Sequence, residues 1–166
     1  MVLKKTFRSK SKTLKSRGYF TVIIFIILLI LDRITKIWAT SLQINKDYGI
    51  VAFTYITNSG AGFSIMQNMN IILIIISIIA LIAMIYFYQY IPQISLLMIS
   101  SGIIGNLIDR ISYGSVIDFI NFKIWPVFNI ADSLIFLGVM YWIIVLFREE
   151  NNKKTNSTIK KNIKKK

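Results

Sequence analysis

The stretch that decides the fold is residues 69–90, MNIILIIISIIALIAMIYFYQY. It carries no charged residue and keeps its strongly polar members near its ends, so it reads as a helix that crosses a bilayer. On its C-terminal side a very short turn at 89–93 leads to Pro92, which suits the first turn of a new helix. That helix is predicted over 92–111 as the antiparallel neighbour of 69–90, and its Ser101-xxx-Gly105 spacing lets membrane helices approach closely. A loop over 112–126 and a fourth apolar helix over 127–147 follow.

On the N-terminal side, residues 39–68 are mixed and turn-rich. The run from Gly49 to Thr57, GIVAFTYIT, is rich in β-branched and aromatic residues and predicts one or two short strands, and Asn58-Ser-Gly60-Ala-Gly62 then breaks it. The first helix is predicted over 19–38, with an apolar core from Val22 to Leu31 followed by Asp32, Arg33 and Lys36. From Thr21 to Trp38 a helix reaches about 27 Å, and Trp38 suits an interfacial anchor. A basic start and an apolar stretch also begin a signal peptide, with Ala39-Thr40-Ser41 as a weak cleavage site; a retained helix is the preferred reading.

The expected fold is therefore an all-α membrane protein, a four-transmembrane-helix bundle with a small extracytoplasmic β-containing loop. Charge sets its orientation. Of 20 Lys and Arg, seven lie in residues 1–18 and eight in 148–166, while the net charge of the whole chain is +13. Under the positive-inside rule both ends and the 89–93 turn are cytoplasmic, and the loops 39–68 and 112–126 are outside. Residues 1–18 are expected to be a basic arm against anionic lipid, 19–147 the membrane domain, and 148–166 a disordered basic tail. Nucleic acid is not an expected partner, because the basic runs abut apolar spans.

The chain has no Cys and no His, which removes thiol nucleophiles, imidazole bases, His/Cys metal sites and disulfides. Hydrolytic chemistry is left to carboxylates, hydroxyls and lysine; no metal and no cofactor is expected. Seven acids remain to be placed, of which Glu149 and Glu150 fall in the tail and Asp47 in the first outer loop. Asp32, Asp109, Asp118 and Asp132 are all predicted at the outer side of the bilayer. An aspartate inside a span costs about 2.5–3.5 kcal/mol on insertion scales, so several at one depth have a use.

Their neighbours divide them. Asp32 precedes Lys36 by four and adjoins Arg33, the setting of an ionised structural aspartate. Asp109 adjoins Arg110, with Asn106 on the same face, and reads as part of a polar clamp from the third helix to the loops. Asp118 and Asp132 have no comparable cation nearby in sequence. Brought together, they would repel, one keeping its proton and the other ionised, the state an aspartic hydrolase needs. The alternative is an Asp132 merely hydrogen-bonded to another helix. Asn129, three residues before Asp132, could hold that carboxylate, bind substrate backbone, or only cap the helix start. The Asn58–Gly62 turn could bind substrate or be only a turn.

Taken together, these residues resemble the bacterial prolipoprotein signal peptidase (signal peptidase II) family, an aspartic peptidase family of the membrane. The matching motifs are Leu31-Asp32-Arg-Ile-Thr-Lys36, Asn58-Ser-Gly60-Ala-Gly62-Phe63-Ser64, Ser101-Gly102-Ile-Ile-Gly105-Asn106-Leu-Ile-Asp109-Arg110, Val116-Ile-Asp118-Phe119 and Phe128-Asn129-Ile-Ala131-Asp132-Ser133. Two departures from the pattern, Ser101 for a glycine and Gly62 for an alanine, exchange small residues for small ones. The resemblance implies Asp118 and Asp132 as the catalytic pair and Asp32, Lys36, Asn58, Gly60, Asn106, Asp109, Arg110 and Asn129 as supporting or substrate-binding residues. It implies removal of the signal peptide from diacylglyceryl-modified prolipoproteins on the amino side of the lipidated cysteine, by a monomer in the bacterial cell membrane. A small proton-coupled transporter or a non-catalytic scaffold are the rivals; a transporter predicts acids near the midplane rather than at one end.

Overall fold

The structure is a computed structural model that describes the backbone of residues 2–60 and 67–163 and the side chains of 19–60 and 67–152. Four α-helices and a three-stranded antiparallel sheet follow in the order α1 (Val2–Ser41), β1 (Asn45–Asp47), β2 (Ala52–Asn58), α2 (Asn70–Tyr86), α3 (Gln93–Tyr113), β3 (Val116–Asn121) and α4 (Ile130–Ile163). A single 3-10 turn, Tyr88–Tyr90, joins α2 to α3. Helix α3 is the central helix, packing against α1, α2 and α4. The sheet, ordered β1-β2-β3, lies at the end of the bundle where α1 and α3 finish and α4 begins.

Several boundaries differ from the sequence reading. Helix α2 stops at Tyr86 and the 3-10 turn takes Tyr88–Tyr90. Helix α4 starts at Ile130 rather than 127, because the Phe128 backbone pairs with Ile120 of β3 and Asn129 becomes the cap. The 112–126 segment, read as a loop, contains β3: Val116 to Asn121 alternate too briefly to announce a strand, and β2 supplies the pairing. The expected arm and disordered tail have helical backbone, α1 beginning at Val2 and α4 reaching Ile163. Neither basic stretch contains proline, so nothing in the chain forces the helix to stop.

Burial is inverted relative to a water-soluble bundle. Fully or nearly fully buried positions include Asp32, Lys36, Ser95, Ser101, Asn106, Asp109, Asp118 and Asn129, whereas Ile23, Ile27, Ile30, Ile75, Ile79 and Ile82 are exposed. Apolar side chains facing outward around polar ones facing inward suit a hydrocarbon surrounding. Helices α3 and the 130–152 part of α4 are long and apolar enough to cross a bilayer, and α2, at 17 residues, is a shorter apolar helix.

Two small clusters hold the ends. Ala39, Ile44 and Phe119 are buried under Phe53 and Tyr55, with Trp38 edge-on to Phe53 and Phe119, which seats the sheet on the end of α1. At the other end Met84, Ile91 and Ile99 pack with Leu96 and Trp142. Between them α3 and α4 meet on glycine. A Cβ on Gly102 would collide with the Ala131 carbonyl oxygen, and one on Gly105 would lie 2.7 Å from Asp32 Oδ2 and 3.2 Å from Ala131 Cβ. The absence of those side chains brings the polar residues of α1, α3 and α4 into one layer.

Candidate active site

The site begins with how α4 starts. Asn129 is the N-cap: its Oδ1 accepts the Asp132 N–H at 2.9 Å, while Asp132 Oδ2 accepts the Asn129 N–H at 3.2 Å. This reciprocal capping box satisfies backbone amides that α4 would otherwise leave open. With Oδ1 so used, the Asn129 amide nitrogen must point away, and it donates to Asp118 Oδ1 at 2.7 Å and to Asn106 Oδ1 at 3.1 Å. One half of the Asn129 amide caps the helix start, and the other half holds the carboxylate of Asp118 rather than that of Asp132, which takes the Asn129 backbone N–H instead.

The same logic orients two more asparagines. Asn58, at the end of β2, accepts the Gly60 N–H on Oδ1 at 3.0 Å and donates to Asp118 Oδ2 at 3.0 Å. Asn106, on α3, accepts the Lys36 ammonium on Oδ1 at 2.9 Å and donates to Asp132 Oδ1 at 2.7 Å. In each case a fixed donor occupies the oxygen, so the NH2 group has to face a carboxylate. Asp118 therefore receives two amide donors and Asp132 one amide and one backbone donor. Asn106 and Asn129 touch each other, which links the two carboxylates through side chains from α3 and α4.

Asp118 and Asp132 line one cavity of about 230 Å³ with Asn58, Gly60, Arg110 and Trp125. Asp118 is 2% exposed. Burial, and next the charge of Asp132, push its carboxyl up to about 7, against the pull of the Asn58 and Asn129 amides and of Lys36. The cavity shares Trp125, Phe128 and Asp132 with an apolar groove of about 770 Å³ bounded by Phe136 and Leu137 of α4. Phe122 and Phe128 stack at 5.6 Å along that groove.

Behind the pair lies an ion cluster. Arg33 donates to Asp109 Oδ1 at 2.5 Å, to Asp32 Oδ2 at 2.7 Å and to the Gly105 carbonyl at 2.8 Å. Lys36 meets Asp109 Oδ2 at 2.7 Å and Asp32 Oδ2 at 3.2 Å, as well as Asn106. The expected Asp32–Lys36 pair is present, but Asp109 takes Arg33 and Lys36 in place of its neighbour Arg110. Helical geometry explains the difference: adjacent residues on a helix diverge by about 100°, so Arg110 turns toward the cavity, where it donates to the Gly60 carbonyl at 3.5 Å. Lys123 is drawn off to Asp47 at 2.7 Å on the surface, where it and the Gly49 N–H hold that carboxyl below the usual range.

All ten nominated residues thus fall at one end of the bundle; Gly62, Phe63 and Ser64 of the second motif lie outside the described residues. Sequence reasoning did not nominate Arg33 beyond its neighbour Asp32, because nothing local signals its reach to α3. Trp125 and Phe128 were also missed, although an aromatic pair flanking Pro126 beside Asp132 was a visible cue. Among the described residues no group of three or more carboxylates is placed to hold a metal ion.

A small helical bundle with membrane-length apolar helices and a pair of linked carboxylates lining one cavity defines the class: a membrane protein of aspartic peptidase type. Residues 24–148 match the family described as signal peptidase (SPase) II, peptidase A8. The chain belongs to that family. It is 41% identical over 146 residues to the lipoprotein signal peptidase of Clostridium tetani (strain Massachusetts / E88), covering 78% of this chain and 93% of that one. The lipoprotein signal peptidase of Streptococcus pyogenes serotype M2 (strain MGAS10270) is 38% identical over 143 residues, covering 78% and 94%. A bacterial membrane enzyme structure obtained by the in meso method at 2.3 Å resolution superposes with a TM-score of 0.73 at 33% identity, covering 81% of this chain and 91% of the other.

Proposed function

We propose that this chain is the endopeptidase that removes the signal peptide from diacylglyceryl-modified prolipoproteins, cleaving on the amino side of the lipidated cysteine, with Asp118 and Asp132 as its catalytic pair. The observation that carries the reading is the shared cavity: two carboxylates, linked through Asn106 and Asn129, open onto an apolar groove. In the proposed cycle the pair holds one proton. Asp118, whose carboxyl keeps its proton up to about 7, donates a hydrogen bond to the scissile carbonyl. Asp132 takes a proton from a water whose oxygen attacks the carbonyl carbon. Collapse of the tetrahedral intermediate breaks the C–N bond, and the proton held by Asp132 passes to the leaving amine. Arg110, on the cavity wall, faces the charge that develops on the carbonyl oxygen.

In this reading all four helices span the bacterial cell membrane, both termini are cytoplasmic, and the sheet end lies at the outer face. The exposed apolar surface of the bundle and the basic residues clustered at the two chain ends support it. A substrate that is itself a membrane segment then presents its scissile bond at the depth of Asp118 and Asp132. Purified in detergent, Asp118→Asn and Asp132→Asn should each lower cleavage of a lipid-modified precursor by about a thousandfold or more, with the protein still folded. Normal turnover by either variant would remove that residue from the chemistry.

A further inference from the structure

The ion cluster touches the backbone of the active site at two places, and both are one residue ahead of a proposed catalytic aspartate. Asp109 Oδ2 accepts the N–H of Ile117, next to Asp118, at 3.3 Å. Asp32 Oδ1 accepts the N–H of Ala131, next to Asp132, at 3.1 Å. Each structural aspartate thus holds the main chain that carries one member of the pair. Asp32 sits on α1 and Asp109 on α3, and what fixes them relative to each other is a shared pair of cations. Lys36 is already committed three ways, hydrogen-bonded to Asn106 and ion-paired with both Asp32 and Asp109. Arg33 supplies the remaining link: one nitrogen serves Asp109, and the other serves Asp32 and the carbonyl of Gly105, at the point where α3 has no side chain. Its guanidinium also brings the cluster to charge balance, two cations for two carboxylates.

We propose that Arg33 is a positioning residue for the reaction: by clamping Asp32 to Asp109 it sets the spacing of the two backbone segments that present Asp132 and Asp118. Neither carboxylate of the pair is in contact with Arg33, so its effect passes through the two structural aspartates. A planar fork suits this duty better than an ammonium, because two acceptors on different helices are held by one rigid group. A misplacement of catalytic groups by a fraction of an ångström to one ångström slows the chemical step while leaving the apolar groove able to hold substrate.

The inference rests on the assignment of Asp118 and Asp132, and the test separates the two. With a fluorogenic peptide spanning a diacylglyceryl-cysteine junction in detergent micelles, Arg33→Gln should lower kcat about ten- to a hundredfold with KM within about twofold. Arg33→Lys, which keeps the charge and loses the fork, should fold and recover part of kcat. In an Asp109→Asn background Arg33→Gln should cost little more, since the clamp is already open. Wild-type kcat in Arg33→Gln, a change confined to KM, or losses that multiply independently in the double variant would each overturn the proposal. If Arg33→Gln does not fold, Arg33→Lys decides alone: full kcat would contradict the need for a fork. Unimpaired cleavage by Asp118→Asn or Asp132→Asn would instead remove the assignment on which the proposal stands.

Discussion

Two pairs of aspartates, three of the four residues buried and Asp132 half-buried, lie within one layer of this protein, and they are treated in opposite ways. Asp32 and Asp109 meet Arg33 and Lys36 in ion pairs between 2.5 and 3.2 Å. Among the described residues, Asp118 and Asp132 hydrogen-bond to asparagine amides and one backbone N–H. The first pair faces two cations that balance its charge and fix it in place. The second pair is held in place without being neutralised, because an amide orients a carboxylate but brings no net charge. That leaves its protons free to move, which an acid–base pair requires. The same residue type serves as structure or as chemistry according to whether its partner is a cation or an amide.

The comparison can be broken most forcefully from the structural side. Asp109→Asn removes one acid from a balanced cluster and leaves a buried cation short of a partner, so a loss of about 3–5 kcal/mol is expected, read as an earlier unfolding midpoint in detergent. A midpoint equal to that of the parent would mean that the cluster is not what holds α1 to α3. Asp118→Asn should behave differently, and pH reveals it. The Asp118 carboxyl keeps its proton to about 7 in the fold, against about 3.9 for an aspartate in an unfolded chain. The folded state thus binds that proton more tightly than the unfolded chain does. The resulting burden on stability is absent below about pH 4, grows as pH rises, and is complete above about pH 7. Asp118→Asn should therefore raise the unfolding midpoint relative to the parent more at pH 8 than at pH 4; a difference independent of pH would show an ordinary, ionised carboxylate. The smallest effect is expected on the surface. Lys123 and Asp47 are both exposed, and Lys123→Ala should change stability by no more than about 1 kcal/mol.

Much of this division was legible in the sequence, and what was not has a physical reason. The apolar runs reported four helices because their length and composition are nearly sufficient evidence by themselves. The spacing of Asp32 and Lys36 reported their pairing, since residues four apart share a helical face. Absent counter-charges singled out Asp118 and Asp132, and the structure places them in one cavity. The partner of Asp109 was not legible, because adjacency to Arg110 in sequence is not adjacency on a helix and Arg33, which it meets, comes from another element. Strand β3 was read as loop because its six residues are defined by pairing with β2 rather than by their own pattern. The late start of α4 follows from the Phe128 bridge, a tertiary contact with no local trace. Long-range geometry is what spacing does not encode: local N–H groups orient Asn58 and Asn129, but the carboxylate that each amide then meets, and the Lys36 ammonium that orients Asn106, come from elsewhere in the fold.

The claim on which the rest depends is that Asp118 and Asp132 behave as a coupled pair, and infrared titration of the carboxyl bands tests it directly. In the parent protein a protonated carboxyl band assigned by its absence in Asp118→Asn should persist from pH 5 and fade near pH 7, and in Asp132→Asn the same band should fade at lower pH, because the neighbouring charge is gone. A band already absent at pH 5 in the parent, or one whose midpoint ignores the replacement of Asp132, would contradict the account.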